Sequence, residues 1–306
     1  MQSEAGLHPF TPVAGLRKKF RHCVRYKFAP AWQKPLLDPA RFVRNQWRIR
    51  RRATRQPGAM ARAAAFHLAP FTIVNGETVS ENIATHGLYE PELTEAFLRL
   101  IEPGQVVLDI GMHLGYYATL FAQLVGPNGH VHAFEPTPST RAVAGENVGR
   151  FANLTVHPFA VWSCVEKMEF NDYGEKFMAF NSFTEARLGD QLPTARKFMV
   201  EAMPLDDFCR KIRGPVALVK VDAESAESNI IAGAQHLLRS DQPLVSLEVG
   251  DFAENGHSAK LIGLMAGCGY QAWELADGRF ARHTGQTAYH YGNLVFAPVA
   301  RDLAGR

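Results

Sequence analysis

Val106-Val107-Leu108-Asp109-Ile110-Gly111-Met112-His113-Leu114-Gly115 decides the fold. Its first five residues read as a buried strand, and the stretch from Tyr116 to Val125 reads as a helix stopped by Gly126-Pro127-Asn128-Gly129. The two glycines sit in the turn between strand and helix, where the absence of a Cβ lets a ligand approach the backbone. The helix start offers free N–H groups to an anion. The next strand, His130 to Phe134, runs into Glu135, 20 residues after Gly115. A carboxylate there can accept hydrogen bonds from both ribose hydroxyls. Together these features describe a site for a nucleoside that carries a negative group.

The spacing narrows the nucleoside. A dinucleotide site calls for G-x-G-x-x-G, so that the glycines fit a pyrophosphate. Here Asp109 holds the place of the first glycine and the pattern is G-x-x-x-G. A phosphate beside Asp109 is repelled. S-adenosylmethionine brings an amino group for Asp109, a carboxylate for the turn, and a sulfonium that tolerates acidic neighbours. The expected cofactor ligands are Asp109, Gly111, Gly115 and Glu135; His113 lies within the loop and contributes through its backbone.

Outward from this motif, strands and helices alternate. Ser139–Phe151 reads as a helix, Thr155–Phe159 as a strand, Val216–Asp222 as a fully buried strand, and Ala226–Arg239 as a helix. Leu244–Glu248, Tyr270–Glu274 and Asn293–Ala297 complete the strands, with a helix over Lys260–Gly267. The expected fold class is α/β: a Rossmann-like methyltransferase fold with a mostly parallel seven-stranded sheet, helices on both faces, and a basic N-terminal extension. Between the third and fourth strands, residues 162–213 form an insert with short strands at Val165–Phe170 and Phe198–Ala202, placed to cover the mouth of the sheet.

The chain has 306 residues, is 46% apolar and carries a net charge of +3. That charge is split unevenly. Residues 1–62 carry a net +13, with Glu4 and Asp38 their only acids, whereas residues 63–306 carry a net −10. The expected organisation is therefore a basic extension over residues 1–70, partly helical or disordered, and a methyltransferase domain over 71–306. The extension calls for an anionic partner: a membrane surface, an acidic glycan or a nucleic acid. A basic helix around Arg41–Arg55, with Phe42, Trp47 and Ile49, could lie on an anionic bilayer. Cys23, Cys164, Cys209 and Cys268 are scattered, which indicates neither a zinc site nor a disulfide framework. No apolar run reaches the ~20 residues a membrane span needs, and no signal-peptide pattern opens the chain. The expected location is the cytoplasm, with a possible membrane periphery.

Over roughly residues 72–297 the sequence resembles the FkbM family of methyltransferases. The resemblance rests on Tyr89-Glu90-Pro91, on Val107 to Tyr117, and on Ala133-Phe134-Glu135-Pro136. It continues through Glu146-Asn147-Val148, Ala160-Val161 and Pro204 to Phe208. Its most specific block is Val219-Lys220-Val221-Asp222-Ala223-Glu224-Ser225-Ala226-Glu227, followed by Gly233-Ala234. Membership implies S-adenosylmethionine as cofactor, Ala160 among the residues that hold it, and O-methylation of a hydroxyl on a glycan, lipid or secondary metabolite. Met112-His113 and Ser225 depart from the commonest pattern of the family, which has Ala-Asn and glycine there.

Lys220, Asp222 and Glu224 alternate along the fourth strand and its end, so they point one way if the strand continues. A lysine in a buried strand needs a carboxylate partner, which Asp222, Glu224 or Glu248 can supply. The trio is either a structural ion-pair network or a catalytic centre at the strand ends. In the catalytic case Asp222 or Glu224 takes the acceptor's proton directly, or the carboxylates hold Mg²⁺; the direct version is preferred. No metal ligand set is assigned. Glu90, Ser182 and Glu248 are the candidates for acceptor binding. The competing functions are a nucleic-acid methyltransferase that uses the basic arm, and a non-catalytic protein that keeps the cofactor fold.

Overall fold

The computed structural model describes residues 10–51, 54–183, 193–223, 226–251, 256–286 and 288–306. Its N-terminal part is helical. It comprises α1 (Val13–Phe28), α2 (Lys34–Leu37) and α3 (Pro39–Arg50), then the hairpin strands β1 (Met60–Ala63) and β2 (Phe71–Val74). The helices α4 (Thr78–His86) and α5 (Pro91–Leu100) lead into the main sheet.

On α1 the residues Leu16, Phe20, Cys23 and Tyr26 recur at helical spacing and are all buried. Three of them, Leu16, Phe20 and Cys23, enter the largest apolar cluster beside Phe66, Phe71 and Phe97. Phe20 meets Phe66 edge to face at 5.5 Å between ring centres. Arg17 ties α1 to the carbonyl of Leu98 at 2.9 Å. The basic segment is thus packed into the body, and the boundary expected near residue 70 falls inside a shared core. The charge step near residue 62 misleads about folding because charges sit on the outer surface of α1 while its apolar stripe faces in.

The elements that build the sheet follow in chain order. First come β3 (Val106–Ile110), α6 (Tyr116–Val125), β4 (His130–Phe134), α7 (Pro138–Val148) and β5 (Leu154–His157). β6 (Ala160–Val161) leads into the insert, which supplies β7 (Glu166–Asp172) and β8 (Arg196–Met203). The second half holds α8 (Leu205–Cys209), β9 (Val216–Val221), α9 (Glu227–Ala232), α10 (Gln235–Ser240), β10 (Leu244–Val249) and α11 (His257–Gly267). It ends with β11 (Tyr270–Ala276), β12 (Arg279–Arg282) and β13 (Gly292–Pro298).

Eight strands form the main sheet in the order β12-β11-β13-β10-β9-β3-β4-β5. The five from β10 to β5 pair in parallel, and β13, β11 and β12 join antiparallel. This is the Rossmann-like methyltransferase fold, with one strand more than the seven expected. The extra strand, β12, follows a two-residue turn at Asp277-Gly278, both left-handed, the geometry that Asp-Gly favours in a hairpin. The helix expected over 226–239 is split in two. A Cβ at Gly233 would stand 2.3 Å from the carbonyl oxygen of Trp162, so the chain bends there. With β6 the insert forms a separate three-stranded sheet, β6-β8-β7.

Replacing Phe20 by alanine is expected to lower stability by about 3 kcal/mol, the scale for emptying a buried aromatic site. Urea denaturation checks this: the midpoint should fall with little change in slope. An unchanged midpoint would show that α1 contributes nothing to the core.

Candidate active site

The turn after β3 is built on left-handed backbone. Gly111 (φ 77°), His113 (φ 53°) and Gly115 (φ 82°) all adopt it within five residues. Gly111 has no alternative, since a Cβ there would lie 1.8 Å from the main-chain oxygen of Asp222. Histidine is among the residue types that tolerate this conformation best. Two backbone bonds clamp the turn from below: the N–H groups of Gly111 and Met112 donate to the carbonyl of Phe134 at 3.1 and 3.0 Å.

Glu135, just past β4, is the second anchor. Its Oε2 accepts from the His113 N–H at 3.1 Å and its Oε1 from the Thr137 N–H at 3.0 Å. Burial pushes its carboxyl above the usual range, and the hydrogen bonds from Thr137 and His113 oppose that rise. A carboxylate has about four acceptor positions, so capacity remains for hydroxyls from a ligand.

β9 lies beside β3 in parallel, with Lys220 opposite Asp109. That register explains the partner of the buried lysine. Its Nζ stands 3.3 Å from Asp109 Oδ1 and 3.4 Å from Asp222 Oδ2. It also donates to the carbonyl of Gly111 at 3.4 Å and lies over the Tyr117 ring. Burial alone would push the ammonium towards neutrality; Asp109, Asp222 and Glu90 outweigh it and hold the pKa above the ordinary lysine value. Burial likewise raises Asp109 against the pull of Lys220. The Asp222 N–H donates to the Ile110 carbonyl at 3.1 Å, which locks the two strand ends together.

A cavity of about 520 Å³ opens above these strand ends. Gly111, His113, Glu135, Ala160, Glu90, Lys220, Asp222 and Glu248 all line it. Three described sequence candidates, Asp109, Ser182 and Gly115, do not. Asp109 is fully buried beneath Lys220 and acts on the cavity only through it; its place inside the strand, not at its end, takes its side chain out of reach. Ser182 is buried in a bridge to Asn171, while its neighbours Asn181 and Phe183 face the cavity. A one-residue shift along an extended segment reverses the side it faces. Gly115 caps α6 and packs on Val148, so it shapes the turn from behind. Glu224 lies outside the described residues.

Several residues join the site that sequence reasoning left out. The Glu90 carboxylate accepts from Tyr117 at 2.8 Å, Tyr291 at 2.6 Å and Asn293 at 3.0 Å. Glu90 itself takes a strained left-handed backbone (φ 39°) before Pro91. Burial first, then the charge of Asp222, raises its pKa. Tyr291 and Asn293 sit two hundred residues away in the chain, on the approach to β13 and within it, and no local pattern marks them. From the insert come Phe170, Met178 and Phe183; from the N-terminal helices come Lys27 and Asn82. Among the described residues, no group of three or more His, Cys, Asp or Glu side chains is arranged to hold a metal ion.

These features fit a cationic nucleoside. Four carboxylates line the cavity against Lys27 and Lys220, and burial raises the pKa of Glu90 and Glu135. The buried Nε2 of His113 has no partner among the described residues. Close backbone approach is available at Gly111. A sulfonium compound with an amino group answers this charge, whereas a pyrophosphate does not.

The fold and site thus define a cofactor-dependent methyltransferase, and the comparisons with known proteins identify which. The profile of the FkbM methyltransferase domain matches residues 109–272, and the chain belongs to that family of S-adenosylmethionine-dependent enzymes. A second profile, that of protein-L-isoaspartate(D-aspartate) O-methyltransferase, matches residues 51–160. The chain is 28% identical over 267 residues to the 31-O-demethyl-FK506 methyltransferase FkbM of Streptomyces tacrolimicus, which covers 76% of this chain and 96% of that one. It is 35% identical over 89 residues to the protein-L-isoaspartate O-methyltransferase of Aeropyrum pernix, covering 28% of this chain and 31% of that one. Among solved structures, the FkbM methyltransferase of Methylobacillus flagellatus KT superposes with a TM-score of 0.39 at 13% identity, over 70% of this chain and 52% of that one. The chain thus spans about half the length of that structure.

Removing the central cation has a defined consequence. Lys220→Met is expected to cost about 3–5 kcal/mol at neutral pH, because it strands Asp109 as an unpaired buried charge. The Asp109 pKa, already raised, then rises further. A carboxyl that binds its proton more tightly in the folded state stabilises the fold below its ordinary pKa and loses that contribution as pH climbs through the raised value. The deficit of the variant should therefore shrink on acidification, which denaturation at several pH values measures. A deficit independent of pH would contradict the pairing.

Proposed function

We propose that this methyltransferase acts on a hydroxyl of a small molecule, glycan or glycolipid, with Asp222 as the base. The observation that carries the reading is the contrast between two aspartates on one lysine. Asp109 is inaccessible, whereas the Asp222 side chain is 34% exposed within the cavity. Glu90, Glu248 and Tyr291 surround the space in front of it.

S-adenosylmethionine, when bound, supplies a methyl group on a positively charged sulfur that departs as a neutral thioether. The chain's own residues do the rest. Glu135 holds the ribose, and the Gly111–Gly115 turn takes the amino-acid end. A hydroxyl is a weak nucleophile until its proton leaves. Asp222 accepts that proton as the acceptor oxygen forms its bond to the methyl carbon. Lys220 holds Asp222 oriented between turnovers through their ion pair. The line from acceptor oxygen through methyl to sulfur must be straight, so the walls of the cavity contribute by positioning. A Mg²⁺-assisted version would compete with Lys220 for the same oxygens, and the direct version is preferred. Residues 71–306 carry this chemistry and the preceding segment covers it. The enzyme works in the cytoplasm, at a membrane periphery, and not on nucleic acid.

Two measurements test this reading. Glu135→Ala should weaken cofactor binding by about 1.5–3 kcal/mol in calorimetry, the scale of hydrogen bonds to a charged group. Wild-type affinity would remove Glu135 from the ribose. Asp222→Asn should reduce turnover ~100-fold or more while cofactor affinity barely moves. Normal turnover in that variant would sink the base assignment, and activity abolished by EDTA and restored by Mg²⁺ would favour the metal version.

A further inference from the structure

We propose that the outward face of α3, with the turn and short helix α2 that precede it, is a docking surface for an anionic lipid bilayer. The inference rests on the methyltransferase reading above and names the surface at which the enzyme docks.

The orientation of α3 is inverted. A helix on a water-soluble body normally turns its apolar stripe to the core and its charges to solvent. Here the polar stripe faces in. Arg41 is buried; it donates to the Cys23 Sγ at 3.2 Å and to the carbonyl of His86. One turn on, Asn45 donates to the Thr85 carbonyl at 2.9 Å and to the Tyr26 hydroxyl at 3.3 Å. One turn further, Arg48 pairs with Glu81 at 3.0 Å. Outward, the helix exposes large apolar residues beside its charges: Val43 is 64% exposed, Trp47 53% and Ile49 65%. Val43 and Trp47 are four residues apart and share a face.

The exposure is concentrated. Among the described residues, six of the thirteen exposed large hydrophobic side chains fall between Phe28 and Ile49, with Trp32 and Leu36 among them. Scattered apolar residues need no explanation, but a cluster marks an interaction surface.

Charge identifies the partner. Residues 10–51 hold twelve lysines and arginines against Asp38 alone. Arg41 and Arg48 are occupied by Asp38 and Glu81. Arg44, Arg50 and Arg51 are exposed beside the apolar residues, and Arg51 lies 4.4 Å over the Trp47 ring. Aromatic rings at headgroup depth, aliphatic side chains below them and guanidinium groups around them are the pattern of a helix on an anionic bilayer. A nucleic acid would use the arginines and leave Leu36, Val43 and Ile49 unburied. The surface also adjoins the active site: Lys27 lines the cavity, and the next residue, Phe28, is 65% exposed.

The test is sedimentation of the full-length protein with vesicles of phosphatidylcholine alone, or with phosphatidylglycerol added. Binding is expected to the mixed vesicles only, to weaken with salt, and to shift Trp fluorescence to the blue. Trp47→Ala/Ile49→Ala should reduce it by at least about tenfold, since each side chain forfeits apolar burial in the bilayer. Both side chains are exposed, so circular dichroism and cofactor calorimetry should be unchanged. Equal binding by the variant, or no binding by the wild type, would overturn the proposal. So would a dimer in solution that the double substitution dissolves, or retention on an oligonucleotide in place of vesicles. Vesicle binding is scored without turnover, so failure of the methyl-transfer reading would show separately, as absent label incorporation from the cofactor.

Discussion

The ammonium of Lys220 is the point on which the site depends. A lysine in the middle of a parallel sheet is tolerated only if its charge is met at once, and the in-register pairing of β9 with β3 meets it with Asp109. The same ammonium reaches up to Asp222 and across to the Gly111 carbonyl. One buried cation therefore joins the inaccessible core of the sheet, the Gly111 turn and the accessible carboxylate. The desolvation cost of such a cluster is large, and it is offset by geometry that two adjacent strands fix.

Around that point, the walls of the cavity come from distant parts of the chain. The strand ends supply its floor. The insert supplies Phe170, Met178 and Phe183, the last strands supply Tyr291 and Asn293 through Glu90, and the N-terminal helices supply Lys27 and Asn82. Packing of α1 against Phe66 and Phe97 makes the basic segment part of the same core. Its charge and its burial are carried by opposite faces of one helix, which is why a charge count along the chain separates what the fold unites.

Much of the fold was legible because β3, β4, β9 and β10 are short, apolar and bounded by turn residues. Those boundaries agree with the observed ones to within a residue. Asp277-Gly278 is a local mark of the β12 hairpin, but the four residues of β12 are too short a strand to carry a clear alternation. The split between α9 and α10 depends on contact of Gly233 with Trp162, a tertiary effect without a local signature. At the site, residues tied to strand ends were legible: Glu135, Lys220, Asp222 and Glu248 all reach the cavity. Side-chain direction was not. Asp109 and Ser182 belong to the right segments but face away from the cavity, and the Tyr291–Glu90 contact spans most of the chain.

The meeting of Gly111 with the main chain of Asp222 has a consequence for how such an enzyme diversifies. Because the two strand ends touch through backbone atoms, the spacing of the Gly111 turn and Asp222 is set by main chain and not by the side chains that wall the cavity. The walls of the cavity belong to other segments: the insert, the N-terminal helices and the approach to β13. Mutation can therefore remodel what enters the cavity, residue by residue, while the spacing of the Gly111 turn and Asp222 is inherited unchanged. Selection for a new acceptor acts on one set of positions and purifying selection on the other.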